Sequence, residues 1–349
     1  MKRHPTKAVK IGNVTVGGNA PISVQSMTKT DTRDPDSTVA QIQELEEAGC
    51  EIVRVAVPDK KAAAALDKIK THISIPLIAD IHFNHRLALM SIDAGVEGLR
   101  INPGNIGSQA KVAEVVKKAA ADSIPIRIGV NAGSLEKDLL EKYGHPTPQA
   151  LVESVLRHIR ILEKNDFDLI KISLKASDVL STIRAYRAIA STTNYPLHVG
   201  ITESGPLLRG TIKSSVGIGI LLADGIGDTI RVSLTGSPVE EVKVGYGILK
   251  SLKLREGGPD IISCPTCGRC ETDILPIVKE LERYLMRVGK NITVAVMGCV
   301  VNGPGEAREA DVGIACGKTS GLLFRKGQPV GRIATEDLVD RLIEEIENF

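Results

Sequence analysis

From Ile22 to about Leu249, short runs rich in Val and Ile alternate with longer stretches whose apolar residues recur at helical spacing. Runs of the first kind read as buried strands and stretches of the second as amphipathic helices, and their regular alternation is the signature of βα units and a parallel sheet. Eight strands are predicted, at Ile22–Met27, Ile52–Val57, Pro76–Ile81, Gly98–Asn102, Ile126–Asn131, Leu169–Lys175, Leu197–Glu203 and Thr229–Leu234, each followed by a helical pattern. Eight such units predict closure into a (β/α)8 TIM barrel. An open doubly wound sheet would need fewer strands and a glycine-rich turn after the first, and Ser26-Met27-Thr28-Lys29-Thr30 carries no glycine. Ahead of the first strand, Val9–Gly18 reads as a hairpin placed to plug the barrel bottom.

The period breaks at Arg255-Glu256-Gly257-Gly258-Pro259, a punctuation cluster typical of linkers. Residues 1–256 are therefore expected to form the barrel and residues 260–349 a small α+β domain. That domain reads as a strand into Cys264, a helix from Thr272 to Val288, strands Ile292–Gly298, Val312–Ala315 and Leu322–Phe324, and a closing helix from Glu336. A length of 349 residues suits a barrel of about 250 residues with this appendage.

Composition narrows the partners. Lys plus Arg (44) nearly balances Asp plus Glu (42), so no global field exists to hold nucleic acid or an anionic membrane, and any anion site must be local. Trp is absent and aromatics make up 3% of the chain, which removes the stacking platforms of single-strand binders. The longest apolar run, Val216 to Leu222, is too short to span a bilayer, and the basic N-terminus is not followed by the apolar core of a signal peptide. Six cysteines in a chain of this size point to a reducing compartment rather than a disulfide scaffold. A cytoplasmic protein is expected.

The cysteines carry the sharpest signal. Cys264, Cys267 and Cys270 follow one another at two-residue intervals, with Cys299 beyond the next predicted helix and strand. Thiolates are soft ligands that select iron–sulfur clusters or zinc. On spacing alone two arrangements stand side by side: an all-thiolate cluster on Cys264, Cys267, Cys270 and Cys299, or a zinc knot on Cys264, Cys267, Cys299 and Cys316. The glycine-rich turn Val301-Asn302-Gly303-Pro304-Gly305-Glu306 can swing one carboxylate back towards the strand end. Cys50 reads as a small buried apolar side chain.

Barrel chemistry sits at the C-terminal ends of the strands. Those ends supply Arg54, Arg100, Arg127, Asn131, Lys175, Glu203 and Ser233, with Asp80 and His82 at the end of the third strand. An arginine inside a buried strand is costly unless it meets an anion, and guanidinium matches phosphate bidentately. Three such arginines predict a phosphate-bearing ligand. Asp80 and His82 are read as a structural pair at the rim, and His198 as a satisfied core histidine. A zinc-stabilised phosphosugar lyase using Lys175 as its Schiff-base amine and a non-catalytic iron–sulfur carrier are the rival readings.

The segments CPTCGRC (264–270) and MGCVVNGPGEAREAD (297–311), with VQSMT in the first strand and LRINPGN in the fourth, closely resemble the bacterial 4-hydroxy-3-methylbut-2-enyl diphosphate synthases of the methylerythritol phosphate route to isoprenoids. The resemblance runs almost end to end. It implies a [4Fe–4S] cluster held by Cys264, Cys267, Cys299 and Glu306, with Cys270, where the family typically has another residue, outside the ligand set. It further implies that Arg54, Arg100, Arg127, Asn131, Lys175 and Ser233 grip a diphosphate while Glu203 stands near the reacting carbons. The implied reaction is the two-electron reduction of 2-C-methyl-D-erythritol 2,4-cyclodiphosphate, with electrons from ferredoxin or flavodoxin. A domain attached after the eighth helix starts from the face opposite the barrel mouth, so a head-to-tail homodimer, in which each cluster domain caps the partner's barrel, is also expected.

Overall fold

A computed structural model describes residues 2–256 and 258–349. The chain divides into two compact units between Arg255 and Glu256.

In the first unit, β1 (Val9–Ile11) and β2 (Val14–Val16) form an antiparallel hairpin. Ile11 and Val16 pack against Ile52 and Ile78, so the hairpin closes the barrel floor as expected. The barrel strands are β3 (Ser23–Met27), β4 (Ile52–Ala56), β5 (Leu77–Asp80), β6 (Gly98–Ile101), β7 (Ile126–Asn131), β8 (Ile170–Lys175), β9 (His198–Val199) and β10 (Thr229–Ile230). All pair in parallel in the order β8-β7-β6-β5-β4-β3-β10-β9, and a bridge between Ile172 and Leu197 joins the two ends into a closed barrel.

Two strands are shorter than the sequence pattern predicts. After Arg231 N bonds Val199 O (2.9 Å), Glu203 takes φ +51° and Gly205 φ +100°. Left-handed backbone cannot continue a parallel ladder, so the chain turns off the rim here.

Strand alternation sorts the side chains. Val24 packs on Gly245 and Ser26 bonds Glu241, both on the outer helix Pro238–Ser251, so Gln25 and Met27 point into the barrel. The same parity sends Arg54, Asp80, Arg100, Arg127, Lys171, Lys175 and His198 inward, and all seven are buried. A barrel interior is ordinarily filled by Val, Ile and Leu. Here the aliphatic residues are concentrated between sheet and helices, and the centre is polar and mostly cationic.

The second unit has one sheet in the order β11 (Asp260–Ser263), β12 (Thr293–Met297), β13 (Val312–Cys316), β14 (Ser320–Arg325), β15 (Gln328–Ala334), parallel through β13 and antiparallel after it. Helices Leu275–Val288 and Leu338–Glu347 cover one face, where Leu281, Leu285, Leu342 and Ile346 meet Val294, Val296 and Ile314. The other face is small: Ala295, Met297 and Ala315 carry the short helix Gly303–Arg308.

Strand β15 and the helix at 303–308 are additions to the expected elements. Gln328-Pro329-Val330-Gly331 has a composition poor in strand formers. The glycine-rich segment was expected as an open turn; Pro304 in the first turn suits a helix start, and bare Gly313 lets Ala307 approach so closely that a Cβ there would lie 2.3 Å from the Ala307 carbonyl. Among the described residues no helix is long and apolar enough to cross a membrane.

Candidate functional site

The barrel mouth holds a cavity of about 180 Å³ lined by Arg54, Asp80, His82, Arg100, Arg127, Asn131, Ser173, Lys175, Thr202, Arg231 and Ser233. Among the described lining residues, five Arg and Lys side chains, with His82, thus share one carboxylate. Asp80 accepts from Arg100 Nη1 at 3.2 Å and lies 3.5 Å from Arg54 Nε. Burial pushes its pKa up, but the charges of Arg54 and Arg100 outweigh that and hold it below its ordinary 3.8. Arg54 also donates to Met27 Sδ (2.9 and 3.1 Å), and Arg100 to His82 Nε2 (3.0 Å) and to the Gly129 carbonyl (3.0 Å). The rim pair expected of Asp80 and His82 is 3.9 Å apart and is threaded by Arg100.

Arg127 is 2% exposed, and its Nε and Nη1 meet no partner. Burial, followed by repulsion from Arg54 and Arg100, drives its pKa well down; burial with Arg127 and Arg231 beside it does the same to Lys175. Arg54 is pushed down to about 10, chiefly by burial. These shifts share one meaning: the cations repel one another in a desolvated space, and a polyanion would relieve them. Lys175 Nζ lies 3.4 Å from His198 Nε2, whose Nδ1 meets Thr229 Oγ1 at 2.5 Å, so His198 is held by partners inside the barrel.

All six residues expected to bind phosphate line this one cavity. Glu203 does not: its side chain is exposed in the left-handed turn, and Thr202 faces the cavity instead. Arg231, absent from the residues expected at the strand ends, joins them here, since alternation along its strand puts it on the same side as Ser233. Glu241, buried on the helix behind, accepts from Arg231 Nε and Nη2 (both 3.4 Å), Ser26 Oγ (3.0 Å) and Leu234 N (3.1 Å), and so fixes the base in place.

The second unit has its own cavity, about 300 Å³, lined by Cys264, Cys267, Cys270, Cys299 and Glu306 with Arg269 and Asn302. Cys264 leaves the end of β11 and its sulfur accepts from Gly298 N (3.2 Å). Backbone N–H groups of Val301 and Asn302 face Cys299 and lower its pKa, favouring thiolate. Three of these thiols and the carboxylate border one cavity, a donor set that a cluster would meet through one iron per ligand. Cys316, a ligand in the zinc alternative, is fully buried in the helix-covered core and does not line this cavity; burial pushes its thiol up to about 12. Cys50 is buried as expected.

A TIM barrel whose mouth cavity is lined by buried cations, joined in one chain to an α+β unit with a thiol-lined cavity, fits the class of barrel enzymes that act on anionic small molecules. Residues 6–246 match the GcpE TIM-barrel domain and residues 260–348 the GcpE protein C-terminal domain. The chain belongs to the GcpE family. It is 61% identical over 344 residues to a 4-hydroxy-3-methylbut-2-en-1-yl diphosphate synthase (flavodoxin) of Geobacter sulfurreducens, covering 99% of this chain and 98% of the relative. A protein of the same name from Clostridium perfringens is 60% identical over the full length of both. Among solved structures, dihydropteroate synthase of Yersinia pestis aligns with 71% of this chain and 99% of its own at a TM-score of 0.52 and 13% identity. The 3-dehydroquinate dehydratase of Geobacillus kaustophilus aligns with 72% and 99% at 0.51 and 13%. At such identities these structures share the barrel fold alone.

Proposed function

We propose that this chain reduces 2-C-methyl-D-erythritol 2,4-cyclodiphosphate by two electrons to 4-hydroxy-3-methylbut-2-enyl diphosphate, opening the ring and releasing water. The observation that carries the reading is the barrel cavity, where five bases share one carboxylate, in a chain about 60% identical throughout to synthases of that diphosphate.

In this reading residues 1–256 form the substrate domain and residues 260–349 the cluster domain. Arg54, Arg100, Arg127 and Lys175 neutralise the diphosphate, Asn131 and Ser233 hydrogen-bond it, and Arg231 adds a further cation. Glu203, which lies outside the cavity in the exposed rim turn, would reach the reacting end of the substrate from there and deliver a proton. Cys264, Cys267, Cys299 and Glu306 would hold a [4Fe–4S] cluster, whose chemistry is single-electron delivery and Lewis acidity at an iron the harder carboxylate leaves exchangeable. The donor set fits: three thiols and Glu306 border one cavity. Flavodoxin, which the relatives' names specify, is the proposed electron donor, and the six free thiols suit a reducing cytoplasm.

We further propose a head-to-tail homodimer. The chain leaves the barrel where Arg255 bonds the Ile22 carbonyl (2.9 Å) and Glu51 (3.1 Å), just before β3 and β4 and therefore at the face opposite the mouth. On helix Leu207–Ala223, Leu208, Ile212, Val216 and Ile220 form an exposed row at four-residue spacing, the kind of surface a second copy would cover.

The test is turnover of the cyclic diphosphate by protein purified without oxygen and supplied with reduced flavodoxin, alongside metal analysis. About four iron and four sulfide per chain with reductant-dependent product is expected. Colourless zinc protein, or product without reductant, would overturn the proposal.

A further inference from the structure

The cluster cavity contains one thiol more than the proposed ligand set uses. Cys270 lines it together with Cys264, Cys267 and Cys299. Its amide donates to the Cys267 carbonyl (2.8 Å), so the turn after β11 folds back and carries the third sulfur towards the first. Gly298 completes the placement. A Cβ on Gly298 would fall 2.3 Å from Cys270 Sγ and 3.3 Å from Cys264 Sγ, so both sulfurs rest against the bare backbone of the residue that precedes Cys299. Cys270 is thus packed among the donors rather than pointing away from them. The thiol donates to the Thr272 carbonyl at 3.0 Å.

We propose that Cys270 is a reserve donor to the cluster: it binds the fourth iron when Glu306 is off it and no substrate has taken the position. This rests on the [4Fe–4S] reading above. The exchange is a ligand substitution in which the iron–oxygen bond to Glu306 breaks, an iron–sulfur bond to Cys270 forms, and the thiol proton passes to the freed carboxylate or to solvent. No electrons move. Thiolate is the softer ligand and iron in a cluster accepts it readily, whereas carboxylate is more easily displaced. The consequence is that an iron whose carboxylate has been displaced keeps a protein ligand within reach and is not lost to solvent.

The experiment compares wild type, Cys270→Ser, Glu306→Ala and the double variant, each reconstituted with iron and sulfide under nitrogen. Iron and acid-labile sulfide are then counted per chain and the oxidised cluster is typed by electron paramagnetic resonance. Wild type and both single variants are expected to keep about four irons, and the double variant to fall to about three with the signal of a three-iron cluster. Loss of one iron from Glu306→Ala with Cys270 present would overturn the proposal, as would four irons in the double variant. Loss from Cys270→Ser alone would also overturn it, by making that thiol the resident ligand.

Should Glu306→Ala fold poorly, Glu306→Gln keeps the side-chain volume, and alkylation read by mass spectrometry replaces the metal count. Cys270 is expected to react in the wild-type holoprotein and to lose that reactivity in Glu306→Gln; equal reactivity in both overturns the proposal. A wild type without iron or sulfide would instead sink the cluster reading itself, a result distinct from every outcome above.

Discussion

Arg100 lies across Gly129. A Cβ on that glycine would stand 2.4 Å from Arg100 Nε and 2.9 Å from Nη2, and the Gly129 carbonyl accepts from the same Nη2 at 3.0 Å. The bare backbone of β7 is the shelf on which the guanidinium is laid out between Asp80 and the cavity. Gly129→Ala should therefore tilt Arg100 off its partners and weaken diphosphate binding by about 1.5–3 kcal/mol, the worth of one hydrogen bond to a charged group. Calorimetric titration with the cyclic diphosphate measures this, and unchanged affinity would show that the shelf does not position Arg100 for the ligand.

Asp80 is the one carboxylate lining the mouth, and Asp80→Asn should destabilise the unliganded protein. Breaking a buried pair typically costs about 3–5 kcal/mol. Urea unfolding followed by circular dichroism, since no Trp is present, reads the change. The pH sign is set by a folded-state pKa lying below the ordinary 3.8. The stability that Asp80 contributes is complete above 3.8 and drains away as pH falls through the lower folded value. The gap between wild type and Asp80→Asn should accordingly narrow on acidification, and a gap that widened would contradict the assignment.

Tyr186 stitches the barrel where its ladder is thinnest. Its hydroxyl donates to the His198 carbonyl (2.5 Å) and accepts from Leu174 N (3.1 Å), bridging β8 to the two-residue β9. Tyr186→Phe leaves both backbone groups buried without a partner, a penalty of about 1–3 kcal/mol. A fall in thermal midpoint with little change in affinity for the cyclic diphosphate is expected; a variant as stable as wild type would show that water satisfies those groups.

Lys175 should take up a proton when the diphosphate binds. Burial and the neighbouring Arg127 and Arg231 hold its pKa well below 10.5 in the free protein, and an adjacent dianion reverses that balance. A group protonated in the complex and less so beforehand makes binding tighten as pH falls. Calorimetry in buffers of different ionisation enthalpy should reveal net uptake in wild type and a smaller one in Lys175→Met, while equal values in the two would assign the proton elsewhere.

The strand–helix period of the sequence carried the barrel, its floor hairpin and the inward set of bases, because a two-residue alternation assigns faces without any knowledge of contacts. It misplaced the ends of β9 and β10, since Leu197–Glu203 reads as a strand whose continuation depends on neighbours that diverge at the rim. Arg231 was legible by parity and went unread. Its anchor Glu241 was not legible, being one of several acids on an outer helix until tertiary packing turns it to the barrel wall. In the second unit, spacing grouped Cys264, Cys267 and Cys299 but left Cys270 and Cys316 as alternative fourth thiols. The sheet sets Cys316 apart, since alternation along β13 turns it into the helix-covered core, while Cys270 stays in the cavity. The helix at 303–308 was hidden because its glycines disfavour helix everywhere except against a close neighbour.

A barrel whose centre is built of mutually repelling bases has a core that an anion would complete. Binding selectively to the folded form, a diphosphate would act as a removable core group, and each tenfold rise in its concentration above the dissociation constant adds about 1.4 kcal/mol of stability. Proteases see mainly the unfolded fraction, so the lifetime of this protein in the cell should follow the level of its own substrate, longest where precursor accumulates and shortest where supply has stopped.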